Sequence, residues 1–314
     1  MDAINTHVAG VDVHKEELVI TTLVGLPHEK AVAETFNCKT FTEDLKAAGL
    51  IILSKGVKHV AMESTGIYWK PIYNVWREQG LIITLGNAAH MKNVPGRKTD
   101  KVDSLWIAKL HRCGLIRPSY IPEEKFQEMR AYYRHRTTLV SAVASIKNRV
   151  QKILEDGNIK LGSVLSDVFG EAGQAVLREL ILGKTDAITL SSVVVTKIKK
   201  KGDLVKALTN CIKPYHIQLL KMLVQEKEFL QKQIDEIDNK LHDLLKEDSI
   251  FVEKLSEVPG IEKTLAVGIL SEATSNMSSF KDAKSFAAWA GVAPGNNESA
   301  GKKKSQKLDK AILV

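Results

Sequence analysis

The stretch Val8-Ala-Gly-Val-Asp-Val-His14 is typical of a buried β-strand, because small and β-branched apolar residues fill most of it. Asp12 is the exception. A carboxylate among strand-forming apolar residues is costly to bury unless hydrogen bonds or a cation compensate its charge. We therefore interpret the stretch as the first strand of the fold, and Asp12 as a candidate site residue.

Elements of an α/β domain follow this strand along the chain. β-Branched runs predict further strands, and helical spacing of apolar residues predicts helices between them. The predicted strands are Leu18–Val24, Lys30–Phe36, His59–Met62 and Leu81–Leu85, and the predicted helices are Thr42–Lys55, Tyr68–Gln79 and Asp103–Arg112. Three leading strands followed by alternating helices and strands indicate a mixed sheet covered by helices.

Two long amphipathic helices are predicted in the middle of the chain. The first covers Phe126–Glu155, and the second covers His216–Lys246, where apolar residues repeat with heptad spacing. The second helix pairs either with the first helix of its own chain or with a second copy in an intermolecular coiled coil. Periodicity alone leaves both alternatives open.

The composition of the chain limits the classes of protein to which it can belong. The chain has 314 residues, a hydrophobic fraction of 44% and a net charge of +8. We therefore expect two or three domains with real cores and a preference for polyanionic partners. The cysteines, Cys38, Cys113 and Cys211, lack metal-binding spacing and indicate a reducing compartment. Because the sequence shows neither a signal-peptide pattern nor a membrane-spanning apolar run, we expect a cytoplasmic protein with no membrane partner.

Three more carboxylates join Asp12 as candidate metal ligands. Glu63 follows a predicted strand, and Asp100 and Asp103 share one face at a predicted helix start. Singly, each has an ordinary explanation as a helix cap or a hydrogen-bond acceptor in a turn. Together they form the oxygen-only ligand set that Mg²⁺ prefers, and two such ions can hold the attacking and leaving oxygens of a phosphodiester.

The C-terminal part of the sequence contains a candidate nucleophile. Residues 255–270 predict a helical hairpin with a Pro-Gly-Ile turn, and Ser299 is predicted in a loop rich in Gly and Asn, before Lys302, Lys303 and Lys304. A serine that attacks phosphate needs an exposed hydroxyl and nearby positive charge. On this chemistry alone, an ordinary loop serine is favoured over a nucleophile.

The four acids lie in three motifs, Gly10-Val-Asp-Val-His-Lys, Met62-Glu-Ser-Thr-Gly-Ile-Tyr and Lys98-Thr-Asp-Lys-Val-Asp-Ser. In their order and spacing, these motifs resemble those of the DEDD transposases. These insertion-sequence recombinases have a RuvC-like domain, are related to the Piv-type invertases and are known as bridge-RNA-guided recombinases. His14 stands where the family commonly has a small residue. The resemblance implies that the metal-binding, catalytic acids are Asp12, Glu63, Asp100 and Asp103.

The resemblance also implies how the chain divides into domains. It indicates an α/β RNase H-like (RuvC-like) catalytic domain at residues 1–125 and a long helical connector with a coiled coil at 126–249. A small, mostly α C-terminal transposase domain is expected at 250–314. The family normally continues past this point, so we expect the last domain to be truncated.

The function implied by the resemblance is that of a site-specific DNA transposase or recombinase. It would use Mg²⁺ and a serine nucleophile, Ser299, with Ser305 as the fallback. The implied partners are donor and target DNA, a structured guide RNA, and further copies of the chain in a dimer or tetramer. The expected nucleic-acid contacts are Arg134, Arg136 and Arg149 on the first long helix, and Lys302, Lys303 and Lys304 near the C-terminus.

Two other functions stay open at this stage. One is an RNase H-fold nuclease or junction resolvase, which would cut DNA with metal-activated water and form no covalent link to the protein. The other is a truncated nucleic-acid-binding remnant that has no catalytic activity. Trapping of labelled DNA on the protein would distinguish the recombinase from both.

Overall fold

The structure, a computed structural model, describes residues 3–64, 66–87, 91, 104–194, 201–291, 297–299 and 302–305. They belong to two compact units, Met1–Ile121 and Pro122–Val314. The predicted division at residues 1–125, 126–249 and 250–314 stays a prediction.

A five-stranded mixed sheet forms the centre of the first unit. Its order is β3-β2-β1-β4-β5. β1 pairs antiparallel with β2, β2 pairs antiparallel with β3, and β1, β4 and β5 run parallel. The strands are β1 His7–Val13, β2 Glu17–Val24, β3 Val32–Lys39, β4 His59–Glu63 and β5 Ile82–Gly86.

Helices cover both faces of this sheet. They are α1 Thr42–Ser54, α2 Trp69–Glu78 and α3 Ser104–Arg112. On one face, Val11 and Met62 pack in a buried cluster with Trp76 of α2, whose indole Nε1 donates to the Leu45 carbonyl of α1 at 2.7 Å. On the other face, Ala61 packs against α3. Three leading antiparallel strands, two further parallel strands and a helical layer on each face confirm the predicted RNase H-like (RuvC-like) α/β fold.

The third strand begins and ends later in the chain than predicted. It covers Val32–Lys39 rather than Lys30–Phe36. Most of its residues are exposed, because β3 is an edge strand with a single neighbour. Its position is set by the ladder with β2, which runs from the pair Val24 and Val32 to the pair Glu17 and Lys39. Hydrophobic alternation carries little information about such a strand.

Two long antiparallel helices dominate the second unit: α4 Glu124–Asp156 and α9 Pro214–Leu244. At one end of the pair, His216 Nε2 lies 2.8 Å from Asp156 Oδ2. Toward the other end of the pair, Arg136 of α4 pairs with Asp238 of α9. These contacts confirm the first alternative, in which the second long helix packs against the first within one chain. Pairing between chains stays a prediction.

Shorter elements make up the rest of the described second unit. They are α5 Leu161–Val164, α6 Glu171–Ile181, α7 Ala187–Ser192, α8 Leu204–Leu208, α10 Ser249–Ser256, α11 Lys263–Ala273 and α12 Ala283–Trp289, three 3₁₀ turns at Lys201–Asp203, Lys246–Asp248 and Met277–Ser279, and the strands β6 Asn297–Ser299 and β7 Lys302–Ser305. Together with α4 and α9, these elements confirm the predicted, largely helical remainder of the chain. In the described part of the sequence, no helix is both long and apolar enough to cross a membrane.

The seam between α4 and α9 should stabilise the second unit. Ile237 is 7% exposed and Leu230 packs at the edge of the same core. We expect Leu230→Ala with Ile237→Ala to lower the melting temperature clearly, because truncating a buried Leu or Ile costs about 2–5 kcal/mol. Calorimetry checks this. The control is Phe229→Ala on the same helix, where a 61% exposed ring should contribute little; equal losses from control and test variants would contradict the packing described.

Candidate active site

Asp12 and Glu63 lie side by side at the carboxyl ends of two adjacent strands. β1 and β4 are parallel, and their register pairs Val11 with Met62, so the next residue of each strand is one of the two acids. Both side chains are partly buried. Residues at the carboxyl ends of parallel strands are well placed to bind ligands, because the strands end there and leave a crevice.

Both carboxylates project toward the face that α3 covers. Side chains alternate along a strand, so Asp12 shares a face with Gly10, and Glu63 shares a face with Ala61. A Cβ built at Gly10 would stand 2.2 Å from the Ser104 carbonyl oxygen of α3. Glycine is therefore required where α3 crosses β1, and this explains the Gly in the first motif.

The direction of α3 brings its first residue toward the acidic end of the sheet. Ser104 Oγ lies 2.6 Å from Thr21 Oγ1, and Thr21 is paired with Gly10. At the other end of α3, the Arg112 guanidinium donates to the Leu26 carbonyl at 2.7 Å. The helix therefore runs antiparallel to β1. Ser104 lies at the end of α3 nearer the two acids.

The other two predicted acids, Asp100 and Asp103, lie outside the described residues. Within the residues that are described, no group of three His, Cys, Asp or Glu side chains could hold a metal ion. Two carboxylates at adjacent strand ends are nonetheless the hard oxygen donors that Mg²⁺ and similar ions take. The described pair thus fits part of a divalent-metal site.

His14 contacts Asp12, and the sequence pattern did not reveal this contact. Nε2 of His14 lies 3.3 Å from Oδ2 of Asp12, with the histidine side chain 56% exposed and the aspartate side chain 19% exposed. The backbone N–H of His14 donates to the Glu17 carbonyl at 3.1 Å, which fixes the residue at the start of the β1–β2 connection. The sequence signal for this contact was the position of His14 two residues after Asp12 at the end of a strand.

The predicted arginines of α4 contact carboxylates of their own chain. Arg134 Nε lies 2.8 Å from Oε1 of Glu272, a residue of α11 that is 3% exposed. Arg130 pairs with the same carboxylate at 2.8 Å. A buried carboxylate held by two guanidinium groups ties α11 to α4, so Arg134 has a structural role whatever else it binds. Its side chain is still 60% exposed.

Arg136 and Arg149 differ in how firmly they are paired. Arg136 makes two hydrogen bonds to Asp238, at 2.5 Å and 3.1 Å, and the hydrogen-bonded carboxylate raises the pKa of the guanidinium. Arg149 is 59% exposed and stands 3.8 Å from Glu226, which is also exposed. Arg149 is therefore the most available of the three arginines for a phosphate.

Ser299 occupies a different local structure from the predicted loop. It is the last residue of β6, and its backbone pairs with Lys302 of β7. Glu298 pairs with Lys303, and Ser305 pairs with Asn297. The two strands are too short for a hydrophobic pattern to reveal them, and for this reason the stretch was predicted as a loop. The pairing places the backbone of Ser299 opposite that of Lys302, the first residue of the lysine segment Lys302–Lys304.

The helical hairpin predicted over residues 255–270 is present, and its two helices cover Ser249–Ser256 and Lys263–Ala273. Helices α10 and α11 flank a turn that includes Gly260, whose φ of +90° lies in the left-handed region that favours glycine.

The fold and the paired acids define a class: RNase H-like proteins with an acidic site at the carboxyl ends of the central strands. A DEDD transposase family model of the IS110 type, described as "Transposase", matches residues 9–159. A second model, "Transposase IS116/IS110/IS902 family", matches residues 252–312. The chain belongs to the IS110 family of DEDD transposases.

Two solved structures are similar to the chain. A Thermus thermophilus RuvC structure has 16% identity and a TM-score of 0.28, and the match covers 36% of this chain and 100% of that one. T. thermophilus RuvC in complex with Holliday junction substrate has 17% identity and a TM-score of 0.28, with 37% of this chain and 100% of that one covered. No curated protein matches the sequence significantly.

Proposed function

We propose that the chain is a site-specific DNA recombinase that cuts and rejoins DNA by phosphoryl transfer at the acidic end of its sheet. The observation that carries this proposal is the adjacency of Asp12 and Glu63 on the face covered by α3. Membership of a transposase family supports DNA as the substrate. Net positive charge favours the same polyanionic partner.

The proposed metal ligands are Asp12, Glu63, Asp100 and Asp103, with Mg²⁺ as the cofactor. Asp103 directly precedes Ser104, and Ser104 is fixed beside Gly10 and Thr21. This contact supports the inclusion of the third motif in the site. When bound, divalent ions would stabilise the charge that develops on the phosphate oxygens during displacement.

Ser299 is the proposed covalent nucleophile. Its hydroxyl oxygen would form a bond to the DNA phosphorus while the phosphorus–oxygen bond within the strand breaks, and the released DNA oxygen would take up the proton. The pairing of β6 with β7 supports this role, because Lys302 and its neighbours would supply positive charge near the phosphate. Ser305 is the fallback nucleophile.

The remaining partners are proposals of the same kind. A structured guide RNA would select donor and target DNA, and copies of the chain would assemble as a dimer or tetramer in the cytoplasm. The exposed guanidinium of Arg149 and the exposed part of Arg134 support a backbone-binding role for α4.

Neutralising the α4 arginines should weaken nucleic-acid binding and flatten its salt dependence. For Arg149→Gln, we expect the slope of log affinity against log salt to fall by about one unit, because one phosphate contact is lost. Adding Arg134→Gln and Arg136→Gln should lower the slope further. Filter binding to structured RNA and duplex DNA measures it. Lys232→Gln on α9 is the control, and a slope unchanged in the triple variant would place the nucleic acid elsewhere.

A nuclease or junction resolvase is the second candidate, since the acidic pair lies wholly within the first unit and could activate water without a serine. Both candidates are tested with the whole chain, end-labelled duplex DNA and Mg²⁺ on a denaturing gel. The recombinase should yield cleaved DNA and a protein–DNA adduct, both lost when EDTA is added. Free cleaved DNA without any adduct would favour the nuclease, and binding without cleavage would favour a non-catalytic remnant.

A further inference from the structure

The contact between His14 and Asp12 brings a histidine to a candidate site that otherwise consists of four acids. The two residues are two apart at the end of β1, so their side chains leave the sheet on the same side. The backbone of His14 is held by its hydrogen bond to Glu17. The imidazole therefore lies beside the Asp12 carboxylate, because the backbone after β1 holds His14 in this position.

The distance between Nε2 of His14 and Oδ2 of Asp12 matches the distance between two neighbouring ligand atoms that bind one metal ion. Nε2 of His14 and Oδ2 of Asp12 are 3.3 Å apart. With bonds of about 2.1 Å from a metal to nitrogen or oxygen, adjacent ligand atoms lie roughly 3.0 Å apart at a right angle and roughly 3.4 Å apart at a tetrahedral angle. An ion in contact with both atoms therefore needs little movement of either side chain.

The chemistry of an imidazole would change which ion the site prefers. Carboxylate, carbonyl and water oxygens suit Mg²⁺, whereas imidazole nitrogen suits first-row transition metals such as Mn²⁺, Co²⁺ and Zn²⁺. The 56% exposed ring is accessible to an ion that enters from solvent. A nitrogen donor beside Asp12 would raise the affinity for transition metals much more than the affinity for Mg²⁺.

We propose that His14 is a direct ligand in the acidic metal site and raises its affinity for a transition-metal ion, such as Mn²⁺, above its affinity for Mg²⁺, so that Mn²⁺ can replace the Mg²⁺ of the proposed function. This inference rests on the proposed function, because it uses the same site at Asp12. His14 and Asp12 bind one ion together, and the histidine sets the preference among ions.

The test measures metal binding by the whole chain in the absence of DNA. Free Mn²⁺ is followed by electron paramagnetic resonance during titration, and bound Mn²⁺ is examined for electron spin-echo modulation from a coordinated histidine ¹⁴N. Mg²⁺ affinity is obtained by competition. We expect Mn²⁺ to bind at least about tenfold more tightly than Mg²⁺ and to show the ¹⁴N modulation. In His14→Ser the Mn²⁺ affinity should fall about tenfold or more and the modulation should disappear, with a much smaller change for Mg²⁺.

The matched control is His28→Ser, which removes an exposed histidine from the same unit. It should leave both the affinity and the modulation unchanged. An unchanged Mn²⁺ affinity and modulation in His14→Ser would overturn the inference. If Asp12→Asn then still abolishes Mn²⁺ binding, the proposed acidic site stands without His14; if Asp12→Asn also leaves binding intact, the metal site of the proposed function fails as well.

Discussion

Asp12→Asn is expected to reduce divalent-ion-dependent DNA cleavage by roughly 10³-fold or more, equivalent to about 4 kcal/mol of transition-state stabilisation. The amide keeps the shape of the side chain but removes the charge that would hold a cation beside Glu63. Because Asp12 and Glu63 are adjacent across the β1–β4 pair, one substitution removes half of the described carboxylates of the site. Initial rates on end-labelled duplex DNA over a range of Mg²⁺ and Mn²⁺ concentrations provide the measurement.

The matched control for this loss is Asp44→Asn, which removes an exposed carboxylate from α1 of the same unit. It should cleave at the rate of the unmodified chain. Melting temperatures of both variants should stay close to that of the parent, since neither change empties the core. If Asp12→Asn cleaves as fast as Asp44→Asn, the assignment of the metal site is wrong.

Ser299→Ala is expected to remove the covalent protein–DNA adduct completely. A hydroxyl forms the link in this account, and alanine has no atom that can replace it. A free serine hydroxyl is a weak nucleophile, so we propose that it is activated by the acidic site, and chelation of the divalent ion should remove the adduct as well. Denaturing electrophoresis with labelled DNA detects the adduct, and mass spectrometry of the digested protein locates it.

Ser305→Ala is the natural control for this experiment, because Ser305 lies on β7 while Ser299 ends β6. It should retain the adduct, with the DNA attached at residue 299. An adduct that persists in Ser299→Ala, or that maps to Ser305, would contradict the role given to Ser299. An adduct that persists in the chelator would show that the acidic site does not activate the serine.

Much of the first unit could be predicted from local sequence pattern. Residues of β1 face α3 and the α1 and α2 layer alternately. Because both faces of the strand are covered, its residues are mostly apolar, and this pattern is visible in the sequence. The adjacency of Asp12 and Glu63 also follows from pattern, once the strands that carry them are taken as parallel neighbours. The edge strand β3 was misplaced because its exposed residues carry almost no such signal.

Side-chain contacts of helices with distant segments could not be predicted. Glu272 has the sequence setting of an ordinary helical glutamate, and its burial against Arg130 and Arg134 depends on how α11 packs on α4. The requirement for glycine at residue 10 likewise depends on where α3 crosses the sheet. Heptad spacing in α9 predicted a packing seam, but the partner helix was identified only by the contacts of the fold.

In the function proposed for this chain, three separate motifs supply one divalent-metal site at the end of the sheet. Replacing Mg²⁺ by Fe²⁺ and adding ascorbate with peroxide generates hydroxyl radicals at the ion, and these cut the backbone beside it. Mass spectrometry of the fragments from the whole chain then maps the site directly. We predict cuts clustered near Asp12, near Glu63 and within residues 100–103, all suppressed by excess Mn²⁺. Cuts confined to one motif, or spread over the chain and insensitive to Mn²⁺, would contradict the claim.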